Sequence, residues 1–322
     1  MLFSLYILFW KGGKKVKAFK KKKGNIRKKE LIFIWGMLAL PLLQWLIFWV
    51  GINANYIKLA FLDARTNTFT FYNFVTFWND LTAPAGSIKI ALVNTLKYFA
   101  ATMLIINPLS LAIAYFLYRK IRGYKVFRVI FYLPAIISAV VMVECYRGVI
   151  QPRGAVDMIM HLFGKSIPSE GWLANFDTAT GAILFFTVWT GFGVNVLLFM
   201  GAMVRVPTEM LEAARLDGCT SFREFFTMIL PMIMPTISTL IITSFTGVVA
   251  VTGPILLFTN GGYNTTTIAF WIFEKIYGGG VSGGLTANYN IVSCTGLCFT
   301  LISLPIIFLI RYLMDKIPVV EY

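Results

Sequence analysis

Six stretches of this chain are apolar enough and long enough to cross a lipid bilayer, and they leave little choice of architecture. They run about 31–52, 90–118, 126–150, 179–204, 232–258 and 289–313, each near the roughly 20 residues that a spanning helix needs. Inside lipid every backbone N–H and C=O must find a partner within its own segment, so the runs are read as helices. Pro41 and Pro108 fall inside the first two and predict kinks there. Of the 322 residues 58% are hydrophobic and 13% charged, with mean hydropathy +0.74, too little charge to keep a soluble domain of this length dispersed. The expected fold class is an all-α integral membrane protein with six transmembrane helices.

Charge placement then sets the expected orientation. The net charge is +15, and eleven of the 29 Lys and Arg lie between Lys11 and Lys29. A cluster like this beside a span sits on anionic lipid headgroups and fixes topology, a reading preferred here to nucleic-acid binding. Arg119, Lys120, Arg122, Lys125 and Arg128 fall on the same side, whereas 53–89, 151–178 and 259–288 carry only scattered cations. The basic side is assigned to the cytoplasm, with both termini there. Residues 1–10 are apolar but too short to span, and their charges follow the apolar run, unlike a secretory signal. The four cysteines, Cys145, Cys219, Cys294 and Cys298, form no C-x-x-C, and the single histidine, His161, completes no metal-binding set.

One cytoplasmic connection differs from a simple anchor. Residues 205–231 carry Arg205, Arg215 and Arg223 against Glu209, Glu212, Asp217 and Glu224, close to neutrality. Pro207 suits a helix start, 208–217 holds no breaker, and Gly218 fits the left-handed position that ends a helix. Ser221 with Glu224 has capping-box spacing and opens a second helix toward Pro231. A helix–turn–helix at a membrane face reads as a docking element.

The run Glu212-Ala213-Ala214-Arg215-Leu216-Asp217-Gly218, with Leu230-Pro231 beyond it, resembles the EAA loop of binding-protein-dependent ABC transporter permeases. That pattern is Glu-Ala-Ala, three residues, Gly, nine residues, then Ile-x-Leu-Pro. Every spacing is kept, with Met228 in the Ile position. The resemblance covers roughly 90–316. It implies the six-helix type I importer permease fold, with the permease core over 90–316; charge placement and hydropathy make 1–30 a basic cytoplasmic tail and 31–89 a first helix and outer loop. It also implies a multi-pass protein of a bacterial plasma membrane. In such a chain Glu212, Ala213, Ala214, Arg215, Asp217 and Gly218 couple to a separate ABC ATPase subunit. Further partners implied are a second, homologous permease subunit and an extracytoplasmic solute-binding protein. Thr259-Asn260-Gly261-Gly262-Tyr263-Asn264-Thr265-Thr266-Thr267 is similar to a Gly-Gly-Pro-x-x-x-Thr segment of carbohydrate importers of the maltose-transporter type, with Tyr263 in place of Pro. The implied solute is a sugar or oligosaccharide.

The chain itself is expected to be no enzyme and to bind no cofactor. Gly164-Lys165-Ser166 has the tail of a phosphate-binding loop, but Ile159 stands where its first glycine belongs. ATP and Mg are therefore assigned to the partner subunit. For the solute path, Thr187, Trp189, Thr190, Gly191 and Asn195 in the fourth run and Ser244 and Gly247 in the fifth are candidates. Polar groups in a span face a cavity or another helix, and close helix packing is the competing reading. Glu144 and Arg147 are spaced for a local ion pair. Two rival functions remain: a permease of the same superfamily for amino acids, peptides or phosphorylated compounds, and a secondary transporter or membrane enzyme. Spans four and five hold no Lys or Arg for an anion, and no mid-span acid is available for ion coupling.

Overall fold

The computed structural model describes residues 28–165, 167–278 and 288–316. The 1–10 extension, nearly all of the basic cluster 11–29, and Ser166 lie outside that set. Among the described residues the chain is helical apart from turns and one isolated antiparallel bridge, Leu62 to Phe69. Five helices are long and apolar enough to cross a membrane: Glu30–Ala60, Ser87–Tyr118, Ala179–Met203, Met234–Phe258 and Tyr289–Asp315. With the third span placed between the second and fourth of the chain, they match five of the six expected runs.

That third span departs from expectation. The apolar run 126–150 is two helices, Tyr124–Ile136 followed by a segment from Ala139, bent by 106°. Pro134 removes one backbone donor in the last turn of the first piece. Ile137 then turns extended with ψ 146°, and Ser138 caps the next helix, its carbonyl accepting from the Met142 N–H at 3.0 Å. An unbroken hydropathy run does not register a local break of this kind.

The prolines inside other spans act differently. Before Pro108 the second span widens into a π-turn, Thr102–Ile106, and the Asn107 N–H reaches back to the Thr102 carbonyl. The same occurs before Pro231, where the Leu230 N–H reaches the Phe225 carbonyl across Phe225–Ile229. A proline cannot donate to the carbonyl four residues back, and a wide turn absorbs the misfit. In the first span Pro41 is likewise followed by a π-turn, Trp45–Gly51, and the helix continues to Ala60.

Three buried clusters hold the spans together. One joins Ile106, Leu117, Phe192, Val196, Phe199 and Met203 to Leu211 and Ile229 of the 205–231 connection and to Ile233 just beyond it. A second is built on Tyr98, Tyr146, Ile183 and Phe186, and a third on Ala60, Phe77, Ile88, Trp271 and Phe299. Lipid is as apolar as leucine, so helix contact here rests on close fit. At Gly193 an added Cβ would lie 2.7 Å from the Phe131 carbonyl, which is how the fourth span meets the third. The first span packs its last turns against the sixth, with Tyr56 beside Gly296. None of its most apolar window is buried.

Candidate functional site

The 205–231 connection folds as an elbow braced from within. Its first helix, Thr208–Leu216, starts after Pro207 and is anchored by the buried Leu211. Gly218 sits at φ +80°, the left-handed conformation its position predicts, with its N–H on the Arg215 carbonyl and the Cys219 N–H on the Ala214 carbonyl. The second helix, Ser221–Glu224, runs without a stop into the π-turn and Leu230–Met232.

The expected capping box between Ser221 and Glu224 does not form. Thr220 is the cap, its hydroxyl accepting from the Arg223 N–H at 3.5 Å. The Glu224 carboxylate turns inward instead, because two arginines offer it stronger partners than one backbone N–H. Arg215 Nε and Nη2 donate to it at 2.9 and 3.1 Å, and Arg119 Nη1 lies 3.4 Å from both oxygens. Glu224 is fully buried, and the Arg215 guanidinium holds its carboxyl below the usual range. Arg119 Nη2 also donates to the Ser221 hydroxyl at 2.8 Å, and the Tyr115 hydroxyl donates to the Ser221 carbonyl at 2.7 Å. Both limbs of the elbow are thereby tied to the end of the second span.

What the elbow leaves outward is two large apolar side chains set among charged ones, Glu209, Glu212, Asp217 and Arg223. Leu216 is 89% exposed and Phe222 76%, the latter packed on Phe226 with ring centroids 4.6 Å apart. Glu212, Ala213 and Asp217 are exposed and Ala214 is half-buried. Arg215 is shared between the surface and Glu224 and is not a free outward charge. Sequence reasoning placed Glu224 in this unit as a capping residue and missed its arginine pairing, and it missed Arg119 and Tyr115 as parts of the unit. Arg119 had been counted only as a topological charge, and no local spacing links it to Glu224.

Mid-membrane, three spans converge on a residue absent from the expected set. Asn107 is buried in the second span, and its Oδ1 accepts from Asn195 Nδ2 at 3.1 Å and from the Ser244 hydroxyl at 3.3 Å. The π-turn before Pro108 sets its direction. Gly191 packs beside this group, where an added Cβ would stand 3.3 Å from Ile106 Cδ1, and Gly247 has open space around it. Thr187 and Thr190 bond the carbonyls of Ile183 and Phe186 in their own helix, and Trp189 lies with Tyr146 and Phe186. Of the seven expected path residues, the structure joins Asn195 and Ser244 through Asn107, and the threonines do not join them.

At the opposite end, loop 259–267 is held in shape by the spans. Asn94 Nδ2 donates to the carbonyls of Asn264 (2.6 Å) and Thr266 (3.0 Å), while the Thr95 hydroxyl accepts from the Ile268 N–H. Asn260, Tyr263 and Asn264 all take positive φ, and Tyr263 packs edge-on to Phe176. Nearby, Glu144 pairs with Arg147 at 2.9 Å as expected, and Arg147 Nη2 also reaches the Leu257 carbonyl at 2.8 Å. Among the described residues no group of three His, Cys, Asp or Glu side chains is placed to hold a metal.

A bundle of membrane-length helices, carrying a polar junction within it and a braced helical elbow at one end, defines a multi-pass membrane protein. Residues 106–317, more than half of the chain, match the family of binding-protein-dependent transport system inner membrane components, and the chain belongs to that family. It is 28% identical over 149 residues to the arabinooligosaccharides transport system permease protein AraP of Bacillus subtilis, covering 45% of this chain and 47% of that one. It is 26% identical over 244 residues to the multiple sugar-binding transport system permease protein MsmF of Streptococcus mutans, covering 76% and 83%. Over 157 residues it is 29% identical to the maltose/maltodextrin permease protein MalF of Escherichia coli, 47% of this chain and 30% of that one. The chain spans less than two thirds of the length of several curated relatives it matches, 47% for AraP and 62% for the probable ABC transporter permease protein YurN of Bacillus subtilis. Its fold is that of a chain in a bacterial ABC transporter for import of the acidic polysaccharide alginate, with TM-score 0.74 and 21% identity over 91% of this chain and 97% of that one.

Proposed function

We propose that this chain is one of two membrane-spanning subunits of an ATP-driven importer of sugars or oligosaccharides. The observation that carries this reading is the elbow, a helix pair bound inward to the second span and presenting Leu216 and Phe222 outward. Exposed Leu216 and Phe222, with the small Ala213 beside them and Glu209, Glu212, Asp217 and Arg223 around them, suit close approach of a second protein at the cytoplasmic side. That protein is a separate ATPase subunit, which holds ATP and Mg. Ala213 and Ala214 admit its backbone, Glu212 meets one of its cations, and Gly218 permits the reversal between the limbs. Glu224 and Arg119 carry the resulting movement into the second span. Both termini face the cytoplasm, a homologous permease completes the pathway, and a solute-binding protein delivers from outside.

Sugars are favoured on two grounds. The relatives' names include arabinooligosaccharides, multiple sugars and maltose. The Asn107, Asn195 and Ser244 group offers neutral donors and acceptors, which suit hydroxyls. Neither span four nor span five supplies a Lys or Arg for an anion.

The test is reconstitution with the neighbouring ATPase and permease subunits, comparing wild type with Gly218→Val. The proposal expects normal insertion of the variant, loss of ATPase subunit in the purified complex, and loss of uptake. Retention of both would remove the docking role. Ligand screening on the neighbouring solute-binding protein checks the substrate class, and binding of amino acids or peptides alone would contradict it.

A further inference from the structure

The strongest surface unaccounted for by transport lies at the other end of the bundle, after the first span. The chain leaves Ala60, turns through the Leu62–Phe69 bridge, and enters the helix Tyr72–Thr82. One side of that helix is fastened down. Asn73 Nδ2 donates to the carbonyls of Ala60 (3.0 Å) and Leu62 (2.9 Å), and Asn290 of the last span donates to the same Leu62 carbonyl at 2.7 Å. Phe77 meets Phe299 edge-on with centroids 5.7 Å apart. The helix is thus fixed to spans one and six, and it leads into the start of span two at Ser87, whereas the elbow contacts that span's far end.

The other side is aromatic and open. Tyr72 is 66% exposed and Trp78 62%, with Val75 between them on one stripe and Phe69 and Phe71 beside it. Phe61, Phe69, Phe71 and Phe74 pack with centroids 5.0 to 6.1 Å apart, so the exposed rings stand on a rigid base. The charges sort in a telling way. Asp63 is spent inside the turn on the N–H groups of Arg65 (2.7 Å) and Thr66 (3.2 Å), which hold its carboxyl below the usual range. Asp80 is spent on the N–H groups of Ser87 and Ile88 at the start of the second span. Lys58 and Arg65 are left exposed on the same side of the bundle.

We infer that Tyr72–Thr82 and the turn before it form a shelf lying in the lipid headgroup region of the outer leaflet. The occupant of its aromatic face is lipid. Tyr and Trp concentrate at this depth because one end of each ring system is apolar and the other accepts hydrogen bonding. Lys58 and Arg65, exposed on this side, can reach lipid phosphates. The face also continues the lipid-facing surface of the first span, which is exposed along Leu31 to Ile52. The shelf sets the depth at which spans one and six sit, and it stands independently of which solute, if any, the chain carries.

Two measurements on the full chain in nanodiscs of phosphatidylethanolamine and phosphatidylglycerol test it. Wild type and Trp78→Phe are compared for tryptophan quenching by lipids brominated near the headgroup. The variant should lose a quenched component that lipids brominated near the bilayer centre affect several-fold less. Single spin labels at 72, 78 and the turn tip 66, in a background lacking the four cysteines, should be oxygen-accessible at 72 and 78 and nickel-chelate-accessible at 66. Equal nickel access at 78 and 66 would put the face in water and overturn the inference. Protection of 78 from both reagents would overturn it too, marking a protein contact.

Discussion

Glu224 shows how a single buried charge can organise a surface. Its carboxylate has one bidentate partner and a second arginine, all within the elbow and the end of span two. Glu224→Gln keeps the volume and loses the charge, and hydrogen bonds to charged groups contribute about 1.5–3 kcal/mol each. The expected outcome is a complex that still assembles but imports at least about tenfold more slowly, since about 1.4 kcal/mol is a factor of ten. Unchanged uptake would sink the bracing role. The lowered carboxyl value fixes the sign of the pH dependence. The tie is complete above the ordinary carboxylate range and is lost as pH falls through the lowered value, so limited proteolysis of the elbow should be flat between about pH 5 and 8. At the polar junction, Asn107→Leu strips Asn195 and Ser244 of their shared acceptor. It should change uptake rate or specificity with assembly intact, and identical kinetics for several sugars would remove the junction from the path. Asn195 and Ser244 were legible in the sequence as polar residues in apolar helices. Asn107 was not, because beside Pro108 it reads as part of a break, and only the π-turn aims it at the other two.

Spans were readable from hydropathy because the bilayer imposes one requirement on all of them, a long apolar run with its backbone bonded internally. Span three reads in the sequence as one apolar run, since a single Ser138 barely lowers its hydropathy and the 106° bend comes from backbone conformation. The helical elbow was legible through Pro207 and Gly218, but the second partner of Glu224 was not, because Arg119 is 105 residues away in sequence. Loop 259–267 was recognised only by resemblance. Its shape depends on Asn94, a distant side chain that satisfies two loop carbonyls. Asn94→Ala leaves the Thr266 carbonyl without its donor, while the Asn264 carbonyl keeps the Thr180 hydroxyl at 3.4 Å, so the change should cost about 1–3 kcal/mol, read as a lower thermal midpoint of the purified complex. A midpoint within error of wild type would show that the loop holds itself.

At the scale of the whole molecule, the bundle has two dissimilar ends joined by the second span, which touches the elbow through Tyr115 and Arg119, the 259–267 loop through Asn94, and the first residue after that loop through Thr95. A single element in contact with both ends can relay movement between them, which alternating access requires. The measurement that bears most directly on this account is photo-crosslinking from position 216 or 222 in native membranes. It should yield an adduct with a nucleotide-hydrolysing subunit whose amount changes with ATP. Adducts confined to lipid, from a chain inserted normally and expressed with its neighbouring subunits, would contradict it.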